Sequence, residues 1–190
     1  MTALPHAPAD RHEAVAADFG HLVEGASDWA APAPVPGWTA RDVVGHLVEW
    51  LPAFLATGGI ELPPGPSVGD DPVAAWRHHA RGVQMLLEER AEESFTHPYA
   101  GTHRLAHAID RFYTADVFMH SWDLARATGQ DVDLDDDFAA ALLDGMRQME
   151  DVLRGSGQYG PPVAVRADAS VVDRLMGFIG RDPARRSGDL

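Results

Sequence analysis

Three ionisable side chains in the segment "DVFMHSWDLA", residues 116–125, have spacings that place them on one face of a predicted helix. Asp116 and His120 are four residues apart, and Asp123 follows His120 by three. Side chains at these spacings are neighbours on a helix, with Cβ atoms about 5–6 Å apart. A carboxylate oxygen and an imidazole nitrogen at that separation can bind one divalent ion, so this face is a candidate metal site.

A third ligand is available on another predicted helix. His46 lies next to an apolar stripe formed by Val43, Leu47, Trp50 and Phe54, and not among charges. Three protein ligands leave positions open for water or substrate, as a catalytic metal requires. Imidazole with carboxylate favours Zn²⁺, Ni²⁺ or Fe²⁺ over Ca²⁺ and Mg²⁺, and we expect zinc. The alternative is a core histidine on one helix and a hydrogen-bonded Asp–His pair on the other.

Asp123 has two interpretations. Its carboxylate can accept a hydrogen bond from a ligating imidazole and so orient it, or it can pair with Arg126, three residues later on the same helix. The spacing alone favours the pair with Arg126. No residue is assigned a catalytic role.

The other histidines are weaker candidates. His78 and His79 are adjacent, so their side chains diverge by about 100° on a helix and cannot both face one site. His103 and His107 are four apart but precede Asp116 by more than two turns. We expect this pair to be solvated, with the mouth of a site as the alternative.

Hydrophobic periodicity predicts helices and no clear strand. The fold class is therefore all-α, a four-helix bundle with short additional helices. Residues 1–8 are predicted to be a disordered N-terminus, 9–183 the helical domain and 184–190 a flexible tail. The predicted long helices cover about 9–27, 39–58, 72–93 and 102–128, followed by a fifth helix that ends near 155 and a short last one at 168–180.

Local signals fix the start of the second helix. Thr39 is a good N-cap, and Asp42 three residues later completes an acidic variant of the capping box. Trp38 and Val43 are placed to form a hydrophobic staple, and Pro52 predicts a kink. The segment 94–101, which contains Pro98 and Gly101, is predicted to be a loop.

Composition excludes several classes of function. The chain has 190 residues, no cysteine and a formal charge of −14. The absence of cysteine excludes disulfides, thiolate metal sites and cysteine nucleophiles. The acidity disfavours binding to nucleic acid or to acidic membranes. With no long apolar run and no signal-like N-terminus, a cytoplasmic protein with no membrane association is expected.

Four segments together resemble a known family. They are "GWTARDVVGHL", "DVFMHSWDLARATG", "YGPPVAV" and "ADASVVDRLMGFIGRDP", which extend the resemblance from about residue 10 to residue 183. The chain resembles the DinB-like metal-binding superfamily. More narrowly, it is similar to the actinobacterial branch related to the N-terminal domain of mycothiol-dependent maleylpyruvate isomerase.

The resemblance implies a DinB-like bundle with a crossover connection and a divalent metal near its mouth, with His46, Asp116 and His120 at the family's ligand positions. The position of Asp116 is a glutamate in the isomerase itself. Relatives use a low-molecular-weight thiol whose pKa the metal lowers, which implies a transferase or isomerase with mycothiol as cosubstrate and a small electrophilic substrate. A homodimer is also implied. The alternative function is a non-catalytic metal- or ligand-binding module, or a purely structural bundle.

Overall fold

Four helices surround the core of the protein, in the spatial order α1 (Pro8–Gly25), α3 (Pro72–Glu89), α2 (Ala40–Ala56) and α5 (Ala115–Thr128). Each of α1 and α2 packs against both α3 and α5, so α1 lies diagonally opposite α2. Because helices that follow one another in sequence occupy diagonal positions, the chain crosses the bundle between α1 and α2 and again between α3 and α5. This arrangement confirms the predicted all-α bundle with a crossover connection.

The computed structural model describes residues 3–185. Its helices are α1 Pro8–Gly25, α2 Ala40–Ala56, α3 Pro72–Glu89, α4 Leu105–Ala108, α5 Ala115–Thr128, α6 Asp136–Arg147, α7 Glu150–Ser156 and α8 Val171–Phe178. A hairpin of β1 Ser94–His97 and β2 Gly101–Arg104 precedes α4, and a π-helical segment, Ile109–Thr114, joins α4 to α5. Residues 1–2 of the predicted disordered terminus and 186–190 of the predicted tail lie outside the described residues.

The predicted capping box starts α2. The Thr39 hydroxyl accepts a hydrogen bond from the Asp42 amide at 3.3 Å, and the Asp42 carboxylate accepts one from the Thr39 amide at 2.8 Å. These two bonds satisfy amides that have no partner within the helix. Pro52 lies inside α2 without ending it.

The predicted apolar stripe of α2 is wrong by one position in its second half. Val43 and Leu47 are fully buried as expected, but Leu51 and Leu55 continue the buried stripe. Trp50 and Phe54 are only partly buried. They follow His46 at intervals of four residues, so the three side chains form a separate face of α2 beside the core.

The predicted fourth helix begins three residues too early. Residues 101–104 form β2, which pairs with β1 so that His103 lies opposite Phe95. Phe95 is fully buried and fixes the hairpin against the bundle, and Gly101 has a φ of 83°, which favours glycine at this turn. His103 therefore lies on a strand and not on the helix of His107. The prediction of a loop at 94–101 is wrong for residues 94–97 and for Gly101, which belong to the two strands, and it is confirmed only for the turn at 98–100.

Other boundaries also differ from the predicted ones. Helix α3 ends at Glu89 rather than at residue 93, and the predicted fifth helix is divided into α6 and α7. Asp135 caps α6 by accepting from the Phe138 amide at 2.7 Å. It also accepts from the Leu4 amide at 3.1 Å, which ties the N-terminal segment to the bundle. No helix among the described residues combines the length and hydropathy needed to cross a membrane.

Two buried histidines face the π-helical segment from α1 and α3. His12 is 1% exposed and His79 is 6% exposed, and their ring centroids lie 6.1 and 5.6 Å from that of Tyr113. The Nδ1 atom of His12 donates to the Gln84 amide oxygen at 2.8 Å. Burial lowers the pKa of both histidines, that of His79 to about 4. Both imidazoles are therefore neutral in the folded protein at neutral pH.

This burial predicts a loss of stability on mild acidification. Unfolded His79 takes up a proton below about pH 6.5, whereas the native side chain takes one up only near its lowered pKa, so stability falls as the pH drops through that window. We expect His79→Gln to reduce the difference in unfolding free energy between pH 7 and pH 5 by about 2 kcal/mol. Urea denaturation of the variant and of wild type at the two pH values measures this difference in unfolding free energy. His78→Gln is the control, because His78 is the exposed neighbour; equal pH dependence in both variants would contradict the prediction.

Candidate metal centre

Helices α2 and α5 bring His46, Asp116 and His120 together. The Nε2 atom of His46 lies 3.1 Å from Oδ2 of Asp116, and Nε2 of His120 lies 3.5 Å from Oδ1 of the same carboxylate. One ligand atom from each residue lies within 4.8 Å of the other two. Among residues 3–185, this is the one group of at least three histidine, cysteine or acidic side chains that is close enough to share an ion.

The cluster opens to solvent on the side of α2. The side chain of His120 is 6% exposed, that of Asp116 is 18% exposed and that of His46 is 32% exposed. The helical spacing on α5 places Asp116 and His120 one turn apart on the same face, and the packing of α2 against α5 adds His46. A ligand would therefore reach the cluster past His46.

Asp123 contacts His120 and not Arg126. Its Oδ2 atom lies 2.9 Å from Nδ1 of His120, so the carboxylate accepts the Nδ1 hydrogen and leaves Nε2 directed towards Asp116. Arg126 instead donates to the Pro183 carbonyl at 2.8 Å and lies over the ring of Trp122. The favoured sequence interpretation, a pair with Arg126, is therefore wrong, and the alternative contact with an imidazole is the one observed.

Arg181 holds Asp123 from the far end of the chain. Its Nη2 and Nε atoms donate to the two carboxylate oxygens at 2.9 and 3.2 Å. The position of Arg181 follows from the end of α8, where its amide donates to the Met176 carbonyl at 2.9 Å and the Gly180 amide to the Gly177 carbonyl at 3.2 Å. This is a Schellman motif with Gly180 at a φ of 91°. A Cβ at Gly180 would lie only 3.0 Å from the Gly160 Cα, so glycine is required there.

Two tryptophans complete the surroundings of the cluster. The indole N–H of Trp50 donates to Oδ2 of Asp116 at 3.0 Å, and Trp38 stacks on His120 with ring centroids 5.7 Å apart. Sequence reasoning assigned neither residue to the site. Two features of the sequence could have identified them. Trp50 lies four residues after His46, on the same face of the helix, and Trp38 directly precedes the N-cap of α2. Arg181 had no local signal, since it is 58 residues from Asp123.

Electrostatics favour ionised carboxylates in the cluster. Burial raises the pKa of Asp116, but the nearby His120 and His46 more than offset this, so its pKa is lowered. The pKa of Asp123 is also lowered, because the hydrogen bond from His120 and the charge of Arg181 outweigh its burial. Burial lowers the pKa of His120, but the charges of Asp116 and Asp123 reverse the effect and raise it. Burial and the charge of Asp116 raise the pKa of Tyr159 to about 12, so its hydroxyl stays protonated.

The remaining histidine pair lies outside this cluster. His107 is exposed on α4, as expected for a solvated side chain. His103 is partly buried, and its Nε2 atom lies 2.7 Å from the Ala100 carbonyl within the hairpin. Neither histidine contributes a ligand atom to the group formed by His46, Asp116 and His120.

The ion pair of Arg181 with Asp123 predicts a large effect of removing one partner. Asp123 is fully buried, so Arg181→Met leaves a buried carboxylate with only His120 as partner. We expect a loss of about 3 kcal/mol of unfolding free energy in urea denaturation. The double variant Arg181→Met/Asp123→Asn should recover part of this loss, because position 123 then carries no unpaired buried charge.

Arg166 provides the matched control for this experiment. It forms the same two-bond contact with Asp168 at 2.9 and 3.0 Å, but the two side chains are 84% and 71% exposed. Arg166→Met should therefore cost less than about 1 kcal/mol. Equal destabilisation by the two single variants would show that burial of Asp123 does not control the strength of its ion pair.

Comparison with known proteins identifies the family to which the chain belongs. The family model of the mycothiol maleylpyruvate isomerase N-terminal domain matches residues 11–125, which include His46, Asp116, His120 and Asp123 but not Arg181. Two uncharacterized proteins, one from each of two strains of Mycobacterium tuberculosis, are 29% identical over 161 residues, which cover 82% of this chain and 86% of the relative. No solved structure matches the chain significantly. Since the family model covers more than half of the sequence, the chain belongs to the mycothiol maleylpyruvate isomerase N-terminal domain family.

Proposed function

We propose that this protein binds a divalent metal ion through His46, Asp116 and His120 and uses it to activate a thiol or a water molecule. The observation that carries the proposal is the convergence of three ligand atoms from α2 and α5 within 4.8 Å of one another. The residues present fit a metal ion, because two imidazole nitrogens and one carboxylate oxygen form a typical donor set for a catalytic site with open positions.

The chemistry of the donor set narrows the choice of metal. Two histidines with one carboxylate suit Zn²⁺, with Ni²⁺ and Fe²⁺ as alternatives, whereas Ca²⁺ and Mg²⁺ prefer sites made of oxygen alone. The contact between Asp123 and Nδ1 of His120 supports the assignment of His120 as a metal ligand. Ligating histidines commonly donate their other ring N–H to a carboxylate, which fixes the tautomer and the ring orientation.

The cosubstrate we propose is a low-molecular-weight thiol, with mycothiol as the candidate. A bound divalent ion lowers the pKa of a coordinating thiol enough to deprotonate it. The chain has no cysteine, so a nucleophilic sulfur has to be supplied by a second molecule. The name of the family that the chain belongs to points to mycothiol. The reaction class that follows is a thiol-dependent transfer or isomerisation.

The protein's own residues have distinct roles in this proposal. Asp123 and Arg181 hold the imidazole of His120 in place, and Trp50 holds one oxygen of Asp116 through its indole N–H. His46 lies at the exposed edge, where a cosubstrate enters. A hydrogen-bonded ligand set of this kind limits the movement of the donor atoms and so favours metal binding.

Metal content tests the ligand assignment. Protein purified without a His tag should contain about one equivalent of metal per chain, measured by elemental analysis, and His120→Ala should lose it because one of three ligands is removed. His107→Ala is the control, since this exposed histidine lies on the same continuous helical stretch outside the ligand group. Equal metal content in His120→Ala and wild-type protein would rule out the assignment.

Asp116 allows a more conservative comparison in the same experiment. Asp116→Glu keeps a carboxylate with one additional methylene and should retain the metal, whereas Asp116→Asn should lose most of it. Chelation should lower the melting temperature of wild type and Asp116→Glu, because an ion that binds only the native state stabilises it. A purely structural bundle would instead show no effect of chelation in any variant.

Turnover distinguishes an enzyme from a binding module. We expect the metal-loaded protein with mycothiol to convert electrophilic substrates, followed by chromatography of substrate and product, and expect this conversion to be lost in His120→Ala. His107→Ala should retain it. A free-thiol assay then separates a transfer, which consumes the thiol, from an isomerisation, which releases it again. Mycothiol binding by calorimetry without conversion of any substrate in the panel would instead support a non-catalytic metal- and ligand-binding module.

A further inference from the structure

A continuous row of aromatic rings extends from the metal ligands to the hairpin. We call it the aromatic strip and define it as Trp38, His46, Trp50, Phe54, Phe112 and His97. All six side chains are partly exposed. Three of them, His46, Trp50 and Phe54, are four residues apart on α2 and therefore share one face of that helix.

Ring contacts connect the members of the aromatic strip without a gap. The ring centroid of His46 lies 5.0 Å from that of Trp38 and 6.2 Å from that of Trp50. Phe54 lies 5.7 Å from Trp50 and stacks on His97 at 4.5 Å. Phe112 follows at 5.6 Å from Phe54. The strip is therefore one continuous row of partly exposed aromatic residues that begins at the cluster of ligand atoms.

The aromatic strip and the metal centre share residues. His46 belongs to both, and the indole N–H of Trp50 donates to Asp116. His46 is also the most exposed of the three proposed ligands, at 32%. A molecule that approaches from this open side therefore lies against the rings of the aromatic strip.

The size of the aromatic strip suits a small molecule better than a protein partner. The face from residue 46 to residue 54 is about 12 Å long, given a helical rise of about 1.5 Å per residue. Because each of the six residues is mostly buried, their side chains together expose on the order of 500 Å² at most. A stable protein interface needs about 800 Å² per partner.

Charge also limits what the site recognises. Arg181 contacts Asp123, which in turn contacts His120. All three guanidinium nitrogens of Arg181 are already bonded, two to Asp123 and one to the Ile179 carbonyl. Arg111 lies over the ring of Phe112, at the other end of the aromatic strip. Each nitrogen of the Arg181 guanidinium is thus committed to the protein's own acceptors, whereas the rings of the aromatic strip remain partly exposed.

We propose that the substrate of this centre carries a flat aromatic or conjugated group that stacks on the aromatic strip. The inference rests on the proposed function, since the strip is assigned to the molecule on which the metal centre acts. Stacking between aromatic rings adds about 0.5–1.5 kcal/mol beyond the burial of apolar area. That increment gives a planar ring an advantage over a saturated group of similar size.

The test compares two inert probes that differ in planarity. Binding of 2-naphthalenemethanol and of its saturated analogue, decahydro-2-naphthalenemethanol, is measured by isothermal titration calorimetry. Wild-type protein should bind the planar probe about fivefold more tightly. Phe54→Leu should abolish most of this preference and leave the metal content unchanged, because Phe54 has no ring contact or hydrogen bond with a proposed ligand. Phe138→Leu, which changes a partly buried phenylalanine that packs on Phe118, should keep the preference.

Three outcomes would overturn the proposal. These are equal affinity for the two probes, an equal loss of preference in Phe54→Leu and Phe138→Leu, and a dimer that Phe54→Leu dissociates without a change in probe affinity. The last outcome would assign the aromatic strip to a second copy of the chain. Each titration is repeated after chelation. A planar preference in a protein that contains no metal as purified and takes up none when metal is added would support the aromatic strip while refuting the proposed function.

Discussion

The carboxylate of Asp116 connects the part of the candidate site that lies on α2 with the part that lies on α5. It is largely buried between α2 and α5, and a buried charge is stable only when it is paired and hydrogen bonded. Its partners come from both helices: His46 and Trp50 from α2 and His120 from α5. The packing of α2 against α5 therefore fixes the geometry of the ligand group, and the ligand group in turn favours one arrangement of the two helices.

From this carboxylate, a series of polar contacts continues to the C-terminal segment. His120 lies between Asp116 and Asp123, and Arg181 neutralises Asp123. Each member offsets the desolvation of its neighbour, so removal of an inner member leaves an unpaired charge in a poorly solvated environment. The family model matches residues 11–125, so the arginine that completes this series comes from outside the matched region. In this chain, α8 thus belongs to the support of the site.

The π-helical segment separates two different polar regions of the bundle. The Ala115 amide bonds to the Asp110 carbonyl five residues earlier, and this wider turn ends just before Asp116. Segments of this kind are frequent at functional sites because they change which side chains face inward. Tyr113, inside the segment, lies between the buried histidines of α1 and α3 and Trp50 beside the ligand group. The interior on one side holds neutral imidazoles, whereas the site on the other side holds ionised carboxylates.

Local rules of sequence determined the all-α class, the cap of α2 and the candidate ligands, because helical periodicity and N-capping act within a few residues. They placed Asp116 and His120 on one face and marked His46 as a histidine among apolar neighbours. Only the tertiary structure decided the partner of Asp123, since Arg126 and His120 are equally distant along the helix and the choice depends on Arg181 arriving from α8. Contacts between distant elements also explain why the sequence predicted neither the role of Trp50 nor the hairpin at 94–104. A ring that faces a neighbouring helix and a short strand anchored by one buried phenylalanine are stabilised by contacts between elements, and no pattern within a single element encodes those contacts.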